Sequence, residues 1–175
     1  PHTPPAGFDD LYKPGDIPID WDEYDAFENS KMQVRPMIEE FWKAGAVRRD
    51  PSIFQKAVCR YLALIPLVDK NIGRIMDALK DAGLDRTTLV VFASDHGDFA
   101  GRYGQLGKNL PAYDPLLRIP FIWRDPRREG DDGRCVNELC SNVDFMPSLL
   151  ERLDIPVPPT VQGESFLPHL DGRPM

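Results

Sequence analysis

Apolar residues recur at Phe54, Val58, Tyr61, Leu62, Ile65, Val68, Ile72, Ile75 and Leu79. Steps of three and four place them on one face of a helix. Asp50-Pro51 gives that helix its start, with Asp as the cap and Pro at the first helical position, and Gly83 gives it a C-cap. Pro66 falls inside the run. It removes one backbone donor and predicts a kink or break near Leu62–Ile65. The pattern then changes. Thr88–Ala93 is an apolar run rich in β-branched and aromatic residues, which reads as a buried strand. Ile119–Trp123 reads as a second strand, and Arg134–Leu139 as a third candidate. The helix-then-strand order predicts a β-α-β arrangement, with the first strand parallel to its neighbours. Val143–Leu153 reads as an amphipathic helix that Ile155-Pro156-Val157-Pro158-Pro159 ends. Residues 1–35 read as a long surface loop with a turn at Lys13-Pro14-Gly15-Asp16, and Met37–Trp42 as a short helix.

The first strand runs into Ser94-Asp95-His96-Gly97-Asp98. In open α/β sheets, ligands bind outside the carboxyl ends of the strands. A carboxylate beside an imidazole at that place is a candidate metal site, and Gly97 allows the backbone to turn away sharply. Ten residues after Asp98 comes Lys108, in Gly104-Gln105-Leu106-Gly107-Lys108. A lysine in such a loop, within reach of a metal, points to an anionic substrate. Taken alone, Asp95 also reads as a cap on the next segment, and Lys108 as a solvated loop lysine.

The ordered series of motifs resembles the sulfatase family of the alkaline phosphatase superfamily. The strand, Ser94–Asp98, Leu106-Gly107-Lys108, Tyr113-Asp114 and Leu117-Arg118-Ile119-Pro120 carry the resemblance. So do Tyr61 through Leu84 upstream, with Asp69, Gly73 and Leu79 in register. Asn142-Val143-Asp144-Phe145-Met146-Pro147-Ser148-Leu149-Leu150, Gly163-Glu164-Ser165-Phe166-Leu167 and Pro1-His2-Thr3-Pro4 continue it over nearly the whole chain. The fold it implies is α/β: an alkaline-phosphatase-like mixed or parallel sheet flanked by helices, of which only part is present. The activity it implies is hydrolysis of a sulfate monoester by a formylglycine nucleophile, assisted by a divalent metal.

The resemblance also implies roles. Asp95 and His96 match metal ligands, Lys108 matches a lysine on the sulfate group, and His2 matches a histidine that binds the sulfate and protonates the leaving oxygen. The family's usual ion is calcium; an imidazole ligand leaves manganese or another ion open. The implied partner is a small-molecule or saccharide sulfate ester. Asp98 is a candidate for orienting the metal loop or for hydrogen-bonding a ligand, and reads equally as having no role in the site. Arg118, Asp144, Pro147 and His169 read as structural.

Two departures bear on this reading. Where many members have Gly-Asp-His-Gly, this chain has Gly101-Arg102-Tyr103-Gly104, which alters the charge beside the site. No C/S-x-P-x-R motif surrounds Cys59, Cys135 or Cys140, so the nucleophile is expected upstream. A phosphodiesterase or phosphonate monoester hydrolase of the same superfamily is the alternative activity. A catalytically incomplete fragment is the alternative from another class.

The chain has 175 residues, a net charge of −7 and a pI near 4.9. That charge argues against a nucleic-acid partner, which needs a basic face. No apolar run reaches the roughly 18–20 residues of a membrane span. Compartment and oligomeric state are left open. Cys59 reads as a small core residue, and the odd cysteine count gives little support to pairing of Cys135 with Cys140. Doubly wound sheets have about five or six strands, more than are found here. The expectation is therefore the carboxyl-side part of a larger catalytic domain, inactive alone. Within it, residues 1–50 form a loop-rich segment, 51–153 a helix-strand-loop-strand-helix core, and 154–175 a Pro-rich tail.

Overall fold

The computed structural model describes residues 3–18, 20, 51–108, 113–128 and 133–171. Met37–Trp42, Asp50 and His2 lie outside the described residues. Contacts divide the chain into two compact units, Pro1–Arg127 and Arg128–Met175.

The first unit is built on one long helix, α1, Pro51–Asp81. It runs through Pro66 without the expected break. An interior proline costs a helix about 3 kcal/mol. That loss is local, and the 31-residue helix continues past it. Phe54, Val58, Cys59 and Ala63 are buried on it, and Ile17, Leu62 and Leu106 pack against the Phe54–Val58 pair. Farther along, the same apolar stripe is exposed at Ile65, Val68 and Ile75. Gly83, at φ +68°, ends the helix as the sequence predicts. Its N–H bonds the Lys80 carbonyl and the Leu84 N–H bonds Leu79, which is the Schellman arrangement. The expected turn at Lys13–Asp16 is a single 3-10 turn, Pro14–Asp16, held to α1 by the Gln55 side chain donating to the Ile17 carbonyl at 2.9 Å.

Strand β1 is Val90–Ala93 and strand β2 is Phe121–Arg124. Both are shorter at their starts than the apolar runs. Thr87 and Thr88 donate to the Leu84 carbonyl, so the ladder opens only at Val90. Pro120 has no N–H to offer a ladder, so β2 opens after it. The two strands pair antiparallel, Val90 opposite Arg124 and Ala93 opposite Phe121. This corrects the parallel expectation. Parallel neighbours need a long crossover, usually helical. Among the described residues the connection holds a 3-10 turn and the short helix α2, Asp114–Leu117, and the chain reverses. Phe121 and Trp123 share one face of β2, rings stacked 6.5 Å apart, while Ile122 is exposed.

The second unit holds helices α3, Asn142–Arg152, and α4, Leu167–Leu170. Arg134–Leu139 is not a strand: Leu139 is exposed, and the Arg134 guanidinium donates to the Leu170 carbonyl at 2.9 Å. Arg128 joins it there and pairs with Asp171 at 2.6 Å. Asp144 is structural, as expected. It closes a capping box with Ser141 at the start of α3, and its other oxygen accepts the Glu164 N–H at 2.9 Å. Ser148, fully buried, donates to the Asp144 carbonyl and accepts the Phe166 N–H. Pro147 has no N–H to give the Val143 carbonyl four residues earlier. Gly163, at φ +89°, lies against that carbonyl, where an added Cβ would come within 2.6 Å of the oxygen.

Gly163→Ala is therefore expected to destabilise this unit by about 2 kcal/mol or more, from left-handed strain and backbone overlap together. Thermal unfolding of the full-length protein measures it; an unchanged midpoint would contradict the packing described.

Candidate functional site

The carboxyl end of β1 passes into a backbone crossing. The Gly97 N–H donates to the Leu116 carbonyl at 2.8 Å. A Cβ on Gly97 would fall 1.9 Å from the Pro115 carbonyl oxygen, so no larger residue fits without moving α2. Just before this crossing, the Ser94 hydroxyl donates to the His96 carbonyl at 2.7 Å, and the His96 N–H donates to Asp95 Oδ1 at 3.0 Å. These bonds curl the turn so that two neighbouring side chains face the same way. Asp95 Oδ2 and His96 Nε2 lie 3.5 Å apart.

The His96 ring is oriented by its other nitrogen, Nδ1, 2.7 Å from the Gly97 carbonyl. A carbonyl only accepts, so Nδ1 carries the proton and Nε2 presents a lone pair, an assignment made from the network. Lys108 Nζ donates to that lone pair at 2.8 Å. Asp95, His96 and Lys108 are thus brought together, twelve residues of loop notwithstanding. The Asp95 side chain is 84% exposed, open to a ligand. The His96 N–H first, and then the Lys108 ammonium, hold its carboxyl below the ordinary value.

The loop that carries Lys108 is stitched to the turn. Asp98 Oδ1 accepts the Ala100 N–H at 2.7 Å and the Gly107 N–H at 3.1 Å, and the Phe99 N–H donates to the Gly107 carbonyl at 3.0 Å. Between these, Arg102–Gly104 makes a 3-10 turn with Tyr103 at φ 54°. That is a left-handed conformation uncommon for a bulky residue. Tyr103, Tyr113 and the buried Phe99 form an aromatic group with centroids 5.0–6.4 Å apart. Gly101 rests on Val58 and Phe54 of α1, 3.1–3.3 Å from where its Cβ would be. Arg118 pairs with Asp114 at the surface, 3.0 Å, a structural role as expected.

The cysteines stand apart. Cys59 is buried, and its thiol is pushed up by burial and then by the Asp16 carboxylate; Cys140 is raised by burial and then by Asp144. Both are held as thiols, poor nucleophiles. Cys135 and Cys140 are unpaired.

With this geometry in view, the comparisons with known proteins decide the family. The sulfatase family model matches residues 1–155. The chain belongs to the sulfatase family. It is 30% identical over 179 residues to an arylsulfatase of Clostridium perfringens, covering 99% of this chain and 35% of that protein. A phosphonate monoester hydrolase from Silicibacter pomeroyi superposes over 99% of this sulfatase chain and 36% of its own, with TM-score 0.76 and 26% identity. A structure solved with its substrate D-glucosamine-2-N,6-O-disulfate covers 80% of this chain and 28% of its own, with TM-score 0.65 and 31% identity. The chain spans about a third of the length of these relatives. Its fold is accordingly part of an alkaline-phosphatase-like α/β domain. Sulfatases as a family use a divalent metal and a formylglycine.

The donors present fit part of such a metal shell. A carboxylate oxygen and an imidazole nitrogen 3.5 Å apart can share one divalent ion at bonds of about 2.0–2.6 Å once the Lys108 ammonium moves off His96 Nε2. Among the described residues no third His, Cys, Asp or Glu joins them. No helix among the described residues is long and apolar enough to cross a membrane.

Sequence reasoning missed Tyr61. It sits in the apolar stripe of α1, and its phenol is raised by burial and then by the Asp98 carboxylate. Its polar tip on an otherwise apolar face was the available signal. Folding thus favours the protonated phenol, so this contribution to stability is full below the ordinary value near ~10. It is lost as pH climbs through the raised value. A wild-type minus Tyr61→Phe alkaline difference titration is expected to place this phenol above ~10, and Asp98→Asn to lower it. A transition at the ordinary value would separate Tyr61 from Asp98.

Proposed function

We propose that the complete protein is a metal-dependent sulfuric ester hydrolase and that Asp95, His96, Lys108 and His2 serve its site. The observation that carries this reading is the meeting of Lys108 Nζ, His96 Nε2 and Asp95 Oδ2 in one solvent-open turn. Sulfate esters resist attack because their oxygens repel nucleophiles, and convergent positive charge relieves that repulsion. Lys108 supplies such a charge as a compact ammonium with three donors. His96, oriented by the Gly97 carbonyl at Nδ1, turns its Nε2 toward the open side of the turn, where the Lys108 ammonium donates to it and an ion would take that ammonium's place. Asp95 remains an anionic oxygen donor.

Asp95 Oδ2 and His96 Nε2 would hold the divalent ion, which supplies charge neutralisation at the ester. Calcium is the family's usual ion, and the imidazole admits manganese as well. Lys108 would hold sulfate oxygens. His2, matched through Pro1-His2-Thr3-Pro4, would bind the sulfate and give a proton to the leaving alcohol, a task suited to a group titrating near neutrality. The formylglycine nucleophile would come from outside this chain, whose cysteines lack its motif. A saccharide sulfate ester is the proposed substrate, supported by the likeness to the glucosamine disulfate complex.

The second reading is a phosphonate monoester hydrolase. The Silicibacter pomeroyi superposition over 99% of the chain favours it, since both ester classes present similar anionic oxygens.

A paired assay of the full-length protein with nitrophenyl sulfate and a nitrophenyl phosphonate separates the two. Faster turnover of the sulfate is expected. Lys108→Ala is expected to lower kcat/KM by about a hundredfold or more, as loss of one preorganised electrostatic donor does, with the unfolding midpoint retained. An unchanged rate would remove Lys108 from the site.

A further inference from the structure

The loop between the Asp95–His96 turn and Lys108 poses a mechanical problem. Lysine is a flexible four-carbon stem. Here it is carried by a glycine-bearing loop. Such a residue reaches a fixed point only if the backbone beneath it is fixed.

We infer that Asp98 is a positioning residue that delivers Lys108 to the His96 Nε2 edge by gripping the Ala100 and Gly107 amides with one carboxylate oxygen. The Gly107 peptide groups are held on both sides: the N–H by Asp98 Oδ1 at 3.1 Å, the carbonyl by the Phe99 N–H at 3.0 Å. That carbonyl belongs to the peptide unit shared with Lys108, so the start of the lysine stem is fixed. Gly107 has φ +73°, with nothing near its absent Cβ. Its need for glycine therefore comes from the backbone path that these two bonds impose. Next to it, Leu106 packs on Phe54 and Val58, which anchors the same stretch to α1. Hydrogen bonds to a carboxylate are roughly twice as strong as neutral ones. Asp98 therefore links the turn bearing Asp95 and His96 to the loop bearing Lys108.

The inference rests on the role proposed for Lys108, and its test has two arms in the full-length protein. The first is independent of activity. Backbone amide exchange across residues 99–108 is expected to be slow in the wild type and in Asp98→Asn, which keeps an acceptor oxygen, and fast in Asp98→Ala. Equal exchange in all three would overturn the clamp. The second arm is a double-mutant comparison. Asp98→Ala is expected to lower kcat/KM roughly ten- to hundredfold, the range typical of residues that orient a site from behind. Asp98→Asn should recover most of it. In a Lys108→Ala background, Asp98→Ala should cost nothing further. A full additional loss there would mean that Asp98 acts on the fold or on another group, and the inference fails. A wild type that hydrolyses no ester would remove the sulfatase reading instead, and amide exchange alone would then decide whether Asp98 sets the loop.

Discussion

The packing of Gly101 and Leu106 against Phe54 and Val58 is the contact on which the rest of the first unit depends. It joins a rigid element to an irregular one. A helix of 31 residues cannot easily shift its side chains, and these two lie in its buried first turns. The loop after β1 has little regular structure of its own, so its shape is set by where it touches that helix and by the bonds it makes to itself. Gly101 is at φ +106°, and its missing side chain lets the loop backbone come into contact with the aromatic ring. Without that approach, the hydrogen bonds of Asp98 would have to order a long loop unaided, against a backbone entropy of about 1–2 kcal/mol for each residue fixed.

Much of the scaffold was legible in the sequence because it follows from periodicity and caps. The spacing from Phe54 to Leu79 fixed α1, Gly83 fixed its end, and the apolar pattern from Val143 fixed α3 to within a residue. Strand limits were less legible, because they depend on who takes each N–H. Thr87 and Thr88 spend theirs on Leu84, and Pro120 has none. Strand direction was not legible at all. It is decided by how the connection from Ser94 to Pro120 folds, and no local pattern encodes that path. The break expected at Pro66 does not occur, because a proline removes one hydrogen bond from a 31-residue helix whose other bonds carry it through.

The site shows the same division. Asp95, His96 and Lys108 stood out by residue type and by the family resemblance, and all three meet in space. What joins them did not stand out. The bond from Asp98 to the Gly107 amide spans nine residues of loop, and the approach of Pro115 to Gly97 spans eighteen, without any periodicity to mark either. Tyr61 is farther still, on another element. Side-chain chemistry announces itself in a sequence; the backbone crossings that aim it do not.

Asp95, His96, Asp98, Lys108 and the Leu116 carbonyl that receives Gly97 all fall in one continuous stretch of chain. Closing so short a segment costs little entropy, and each doubling of loop length adds only about 0.6 kcal/mol. This cluster therefore behaves as a cassette. Its parts are tied by local bonds, and from the rest of the chain it takes one strand to enter on and one apolar helix face to lie against.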